Sequence, residues 1–181
     1  MIDERSLLGR AQDLDKEAIA QIHDAYHGPI YRYLSFRVED PQTVEDLTSE
    51  VFIRFVHALR RGRGPRENLR AWLYGVAANV LKEHYRAQRK QPLAQLDESL
   101  PGKGPSPEQD VNTRLEAEQL RRALGDLSKE QQEVLALRFG FGMRHKEVAQ
   151  TLGKSEGAVR MLQVRAIAAL TELLSGIELF S

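Results

Sequence analysis

Apolar residues recur three and four apart along most of this 181-residue chain and hardly ever alternate with polar ones. That period belongs to helices with one buried face; strands would need alternation and Asn-Gly or Asp-Gly turns, and neither is found. The pattern predicts a first helix over 13–27, with Ala18, Ile19, Ile22 and Tyr26 on one face. Gly28-Pro29 is expected to interrupt or kink it, and a second helix to run from Pro29 to about Val38. After Asp40-Pro41, Thr43 is the expected cap of a third helix, with Asp46 as its reciprocal acid. Val44, Leu47, Val51, Phe55 and Leu59 make its stripe, beside Phe52 and Val56. A basic loop, Arg60 to Asn68, leads to a fourth helix over 69–89, with Trp72, Leu73, Val76, Ala77, Val80 and Leu81 as its buried face.

Residues 91–107 break the periodicity. They hold four of the seven prolines and read as a flexible Pro/Gly-containing linker, at most about 55–60 Å long when extended. The expected fold is therefore all-α, with two small helical domains over 1–90 and 108–181. The second domain opens on Ser106, Pro107 and Gln109, a capping signal. A second capping box, Ser128 with Gln131, starts a helix ending near Phe139, and Gly140 and Gly142 form its exit turn. Two more helices follow, about Arg144–Leu152 and Ser155–Leu174, with a tight turn at Gly153-Lys154.

The net charge is zero, yet the charges are segregated. Residues 1–53 carry 5 basic and 11 acidic side chains, 54–90 carry 10 and 2, 91–120 carry 2 and 6, and 136–170 carry 6 and 2. Two basic segments on helical patterns, divided by an acidic one, fit a polyanionic partner. With no cysteine, disulfide frameworks, thiolate metal sites and cysteine nucleophiles are excluded. No apolar run approaches a membrane span, and the N-terminus lacks a secretory signal, so a cytoplasmic protein is expected.

Residues 145–164 carry the sharpest local signal. Val148, Ala149 and Leu152 share a face of one short helix, Gly153 permits a sharp turn, and Ala158, Val159 and Leu162 return to the same core. This is the pattern of a helix-turn-helix, whose second helix enters the major groove. On it Arg160 suits guanine and Gln163 adenine, while Arg144, Lys146 and Lys154 suit phosphate, with Ser155 and Arg165 as further polar candidates. Gly157 fits either close approach to DNA or simple tolerance in a first turn.

Four segments, in order, resemble the bacterial sigma factors of the extracytoplasmic function (ECF) group, the two-domain members of the sigma-70 family. YHGPIYRYLSFRV resembles the start of the family's promoter-melting domain, and VEDLTSEVFIRFVHAL its polymerase-docking helix. NLRAWLYGVAANVLKEHYRAQRK resembles the helix that opens the −10 element, and LSKEQQEVLALRFGFGMRHKEVAQTLGKSEGAVRMLQVRA the −35-reading domain. The resemblance implies that Glu45, Asp46, Leu47, Glu50, Val51, Phe52 and Arg54 face core RNA polymerase. It implies that Arg61, Arg63, Arg66, Asn68, Trp72, Tyr74, Asn79, Lys82, Arg86 and Arg89 serve the −10 element, with the 61–68 loop holding a flipped base. Basic groups among aromatic rings suit unstacked bases, although Trp72 fits the core stripe as well and Asn79 fits a structural polar contact as well. The −35 set is Arg144, Lys146, Lys154, Ser155, Gly157, Arg160, Gln163 and Arg165. Implied partners are core RNA polymerase, promoter DNA and an anti-sigma factor, with no small-molecule substrate and no integral membrane segment. In the linker Asp97 and Glu98 could mimic nucleic-acid charge or merely belong to a tether.

The chain departs from the family at Arg144, where a Ser or Thr cap is usual, at Glu83, where Asp is usual, and at Met161, Leu162 and Ile167, where relatives carry more Arg. Ending at Ser181, it is expected to carry no further regulatory domain. An enzyme is not expected: no phosphate loop or nucleophile elbow occurs, and no cofactor or metal is implied. His23 and His27 lie four apart but lack a HExxH glutamate. A polymerase-independent helix-turn-helix regulator would explain the second domain and not the basic aromatic helix of the first. An adaptor would explain neither basic segment.

Overall fold

A computed structural model of the chain describes residues 4–90 and 109–178. The expected linker, the Ser106-Pro107 start signal, Asp97 and Glu98 lie outside the described residues. All regular elements among the described residues are helical: α1 (Glu4–Gln12), α2 (Lys16–Ser35), α3 (Pro41–Arg60), α4 (Leu69–Lys90), α5 (Gln109–Gly125), α6 (Lys129–Leu135), a π turn (Ala136–Gly140), α7 (His145–Leu152) and α8 (Glu156–Glu178).

The N-terminal half is a bundle in which α2, α3 and α4 pack on one another and α1 closes one end. Helix α1 was not expected from the pattern; Leu7, Leu8 and Ala11 bury its inner face. Asp15 caps α2 by accepting from the Glu17 and Ala18 N–H groups, so the helix begins at Lys16 rather than at residue 13. The expected break at Gly28-Pro29 does not occur, and α2 runs through Pro29 to Ser35. Proline costs one helical hydrogen bond, but its fixed φ is helical. Ile22, Tyr26, Ile30, Tyr33 and Leu34 bury one continuous stripe across it, which outweighs that loss. Helix α3 is capped by Asp40 and not by Thr43. The Asp40 carboxylate accepts from the Thr43 N–H at 2.8 Å and the Thr43 hydroxyl at 2.6 Å, with Pro41 in the first turn. Asp46 accepts instead from Gln42, at 3.2 Å.

In the C-terminal half, the capping box at Ser128 forms in both directions. The Gln131 N–H donates to Ser128 Oγ at 3.2 Å, and the Ser128 N–H to Gln131 Oε1 at 3.0 Å. Helix α8 packs on α5, α6 and α7. The two halves share one apolar core, because the π turn packs on α2. Phe141, just after that turn, is buried with its ring edge-on to Tyr33 of α2 at 5.7 Å and to Tyr74 of α4 at 6.0 Å. The Arg32 guanidinium donates to the Gly140 carbonyl at 3.3 Å, and Arg121 donates to the Ser35 carbonyl at 3.4 Å. Burial pushes the phenols of Tyr33 and Tyr74 above their ordinary pKa.

Candidate nucleic-acid interface

The α3–α4 loop turns through two left-handed residues, Gly62 and Asn68. Asn68 accepts from the Ala71 N–H at 3.2 Å and thereby caps α4, so its side-chain oxygen is engaged in the fold. Arg61, Arg63 and Arg66 are exposed. Gln12 of α1 donates to the Pro65 carbonyl at 2.7 Å and ties the loop to the bundle. Beside it lies an open cavity of about 330 Å³ lined by Gln12, Leu59, Gly62, Gly64 and Arg66. At Gly64 a Cβ would come within 2.6 Å of the end of the Leu59 side chain, so any larger residue there would have to displace that buried leucine. Gln12 was missed by sequence reasoning, since only the turn of the bundle brings it beside residue 65.

Beyond the loop, Asn79, Lys82, Arg86 and Arg89 are exposed and recur at intervals of three and four. They form one polar, mostly basic stripe along α4. Trp72 heads that stripe but is half-buried, edge-on to Phe55 at 5.7 Å. Tyr74 is buried beneath Phe141, so its ring cannot reach a base while the halves are packed together.

On α3 the expected docking residues divide. Glu45 and Asp46 are exposed, and Leu47 and Glu50 are half-buried. Val51 and Phe52 are in the core. Their positions on the inward stripe of α3 explain this, so they support a surface rather than form it. The exposed line passes instead through Asp46, Ser49, Ile53 and His57. Ile53 is an exposed large apolar side chain that sequence reasoning passed over because it lies off the buried stripe. Arg54 bridges two helices, donating to Glu50 at 2.7 Å and to both oxygens of Glu83 at 2.6 and 3.1 Å. These carboxylates hold the guanidinium firmly protonated, and Arg54 pulls the Glu83 carboxyl below its usual range. Because the bridge is partly solvated, Arg54→Ala is expected to cost only about 1 kcal/mol. Urea unfolding at low and high salt checks this, with the loss shrinking as salt rises.

His27 meets Glu45 at 3.1 Å and His23 meets Asp24 at 3.3 Å. Among the described residues no group of three or more such side chains is arranged to hold a metal ion. No helix among them is long and apolar enough to cross a membrane.

The helix-turn-helix turns where the pattern predicts, but Ala158, expected in its core, is exposed, and Leu152 and Leu162 are half-buried, because the first turn of α8 faces outward. Gly153 is left-handed, the Lys154 N–H donates to the Ala149 carbonyl at 2.9 Å, and Val148, Ala149 and Val159 are buried together. Ser155 caps α8 by accepting from the Ala158 N–H at 3.1 Å. At α7 only half a capping box forms. The Arg144 N–H donates to Glu147 at 2.7 Å, whereas the Arg144 side chain has no acceptor to offer in return. Arg144, Lys146, Gly157, Arg160 and Arg165 are exposed. Arg160 is paired with Glu156 at 2.6 Å, and Lys154 with Glu130 of α6. Gln163 faces inward: its oxygen accepts from Arg138 at 3.1 Å and meets His145 at 2.9 Å. That oxygen therefore joins α8 to the π turn and α7 instead of pointing outward. A Cβ on Gly157 would meet nothing within 4 Å, so the protein itself does not require glycine there.

The chain matches the family model for Sigma-70 region 2 over residues 22–91 and that for Sigma-70 region 4 over residues 123–172. It is 35% identical over 170 residues to the ECF RNA polymerase sigma factor BldN of Streptomyces coelicolor, covering 93% of this chain and 64% of that protein. It is 30% identical over 181 residues to the RNA polymerase sigma factor CnrH of Cupriavidus metallidurans, covering 94% of each. The solved structure of CnrH in complex with the cytosolic domain of CnrY superposes with a TM-score of 0.71 at 26% identity, covering 96% of this chain and 97% of that one.

Proposed function

The chain belongs to the ECF group of the sigma-70 family of RNA polymerase sigma factors, and from that premise we propose a division of labour among its surfaces. The exposed face of α3, with Glu45, Asp46 and Ile53, docks on core RNA polymerase. The α3–α4 loop and the Asn79–Arg89 stripe hold the opened −10 element. The N-terminal half of α8 enters the major groove at −35. The observation that carries this reading is the presence in one chain of two separate exposed basic surfaces, one along α4 and one on the helix-turn-helix. A polymerase-independent regulator would need only the second.

The cavity beside Gly62 and Gly64 suits a single unstacked base, with Arg66 near a phosphate. The protein performs no covalent chemistry; it acts in the cytoplasm, where the polymerase makes the bonds. CnrH is solved with the cytosolic domain of CnrY bound, which supports a protein partner for this chain besides the polymerase; an anti-sigma factor is the one the family resemblance implies. The halves must part on the promoter. Elements named −10 and −35 are centred about 25 base pairs apart, roughly 85 Å at ~3.4 Å per pair. The packing of Phe141 on Tyr33 and Tyr74 does not allow that span.

Promoter opening tests the proposal. Thymines near −10 should become reactive to permanganate only when core polymerase and this chain are both present. Reactivity with polymerase alone, or none with both, contradicts it. Ile53→Asp should weaken binding to core polymerase about ten-fold without unfolding the exposed site, as measured by fluorescence anisotropy of the labelled chain. Unchanged affinity removes Ile53 from the docking face.

A further inference from the structure

The outward centreline of α8 is apolar. Gly157, Met161, Val164 and Ala168 are all exposed and recur at the spacing that keeps them on one face, opposite buried Val159 and Ala166. Met161 is 51% and Val164 60% exposed, high values for large apolar side chains, and Ile167 on the flank of the same helix is 42% exposed. Arg160 and Arg165 flank this ridge on either side. The one amide suited to reading adenine, Gln163, has its oxygen committed to Arg138 and His145. The part of α8 that would lie deepest in a groove therefore has few hydrogen-bonding groups and two apolar ones.

An exposed apolar ridge marks a contact surface. Here its flanking charges choose the occupant: residues 136–170 carry six basic and two acidic side chains, and Arg160 and Arg165 would stand over phosphates or guanine edges. The one apolar group that B-DNA displays in its major groove is the C5 methyl of thymine. Methionine is unbranched and polarisable and can settle against such a methyl. Gly157, with no Cβ, lets the first turn approach the groove floor.

We propose that Met161 and Val164 are specificity-determining residues that read thymine methyl groups in the −35 element. The inference rests on the sigma-factor reading above and specifies how its −35 surface discriminates. Arginines supply affinity and orientation, and the ridge selects A·T pairs at the positions it covers.

The test uses holoenzyme assembled from core polymerase and the full chain. A preferred −35 element is first selected from a pool of promoter duplexes randomised at that position. Each thymine of the selected element, on either strand, is then replaced by deoxyuridine, which lacks only the methyl. Wild-type holoenzyme should bind at least one such duplex about four-fold more weakly, the worth of one methyl-sized group withheld from burial. Met161→Ala holoenzyme, or Val164→Ala for a neighbouring thymine, should bind the thymine duplex more weakly and no longer distinguish uracil from thymine. Both substitutions are at exposed sites and should leave the fold intact.

Indifference of the wild type to every replacement would overturn the inference, as would discrimination that survives in both variants. A loss of polymerase affinity with discrimination unchanged would also overturn it, by showing that the ridge docks on protein. A holoenzyme that selects no sequence from the pool would instead bring down the sigma reading itself.

Discussion

Phe141→Ala should release the helix-turn-helix unit from the N-terminal bundle. The phenylalanine is buried between Tyr33 and Tyr74, and these ring contacts join the two halves. Truncating a buried phenylalanine costs about 3–5 kcal/mol. Spread over the docking equilibrium, that is a shift of more than a hundred-fold toward separated halves. Small-angle scattering should show a larger radius of gyration, with helical circular dichroism preserved. A second readout follows from the phenols. Burial holds the folded-state pKa values of Tyr33 and Tyr74 above the unfolded value near 10. The neutral phenols therefore contribute folding stability that is fully present below about pH 10 and lost as pH rises through the folded values. In the variant both rings gain solvent and should ionise closer to pH 10 in an ultraviolet titration. An unchanged radius and an unchanged titration would show that Phe141 does not hold the halves together.

Replacing Lys82, Arg86 and Arg89 together by alanine should weaken binding of holoenzyme to promoter DNA by on the order of 10–100-fold at low salt. The three are exposed on one stripe of α4, so the helix loses charge and little packing. Each phosphate contact that releases a counterion contributes about 0.7–0.9 to the slope of log affinity against log salt. The slope should therefore fall by about 2–3 in the triple variant. Asn79 remains on the stripe and the loop arginines remain in place, so binding should be reduced rather than abolished. Equal slopes for variant and parent would mean that these residues do not face DNA.

Much of this arrangement was legible in the chain because it rests on short-range chemistry. The left-handed turn at Gly153, the capping box at Ser128 and the buried stripe of α4 each follow from residues within one or two turns of each other. Local rules failed where distant packing decided. Pro29 stays within a helix because the stripe it interrupts is buried on both sides. Thr43 yields the cap to Asp40 because Pro41 is better placed in the first turn. Val51 and Phe52 look like docking residues beside acids, yet they share the inward face of α3.

The site residues divide on the same principle. Arg61, Arg63, Arg66, Lys82, Arg86 and Arg89 are exposed because long charged chains leave a core wherever they can. Gln163 and Tyr74 were harder to place, since a polar or amphipathic side chain can serve either surface. Their partners, Arg138 and His145 for the first and Tyr33 and Phe141 for the second, are 18 to 67 residues away. The docking of the two halves had no signal in the sequence at all. Phe141 stands between two glycines of an exit turn and reads as turn chemistry until α2 and α4 are seen on either side of it.

The most direct test of the central claim is run-off transcription with purified core RNA polymerase, with and without this chain, on DNA from upstream of its own gene. A discrete start that requires the chain, together with protection of the −10 and −35 regions, is the predicted result. DNA binding by the chain alone, with neither a chain-dependent start nor measurable affinity for core polymerase, would contradict the account and favour a helix-turn-helix regulator that works without polymerase.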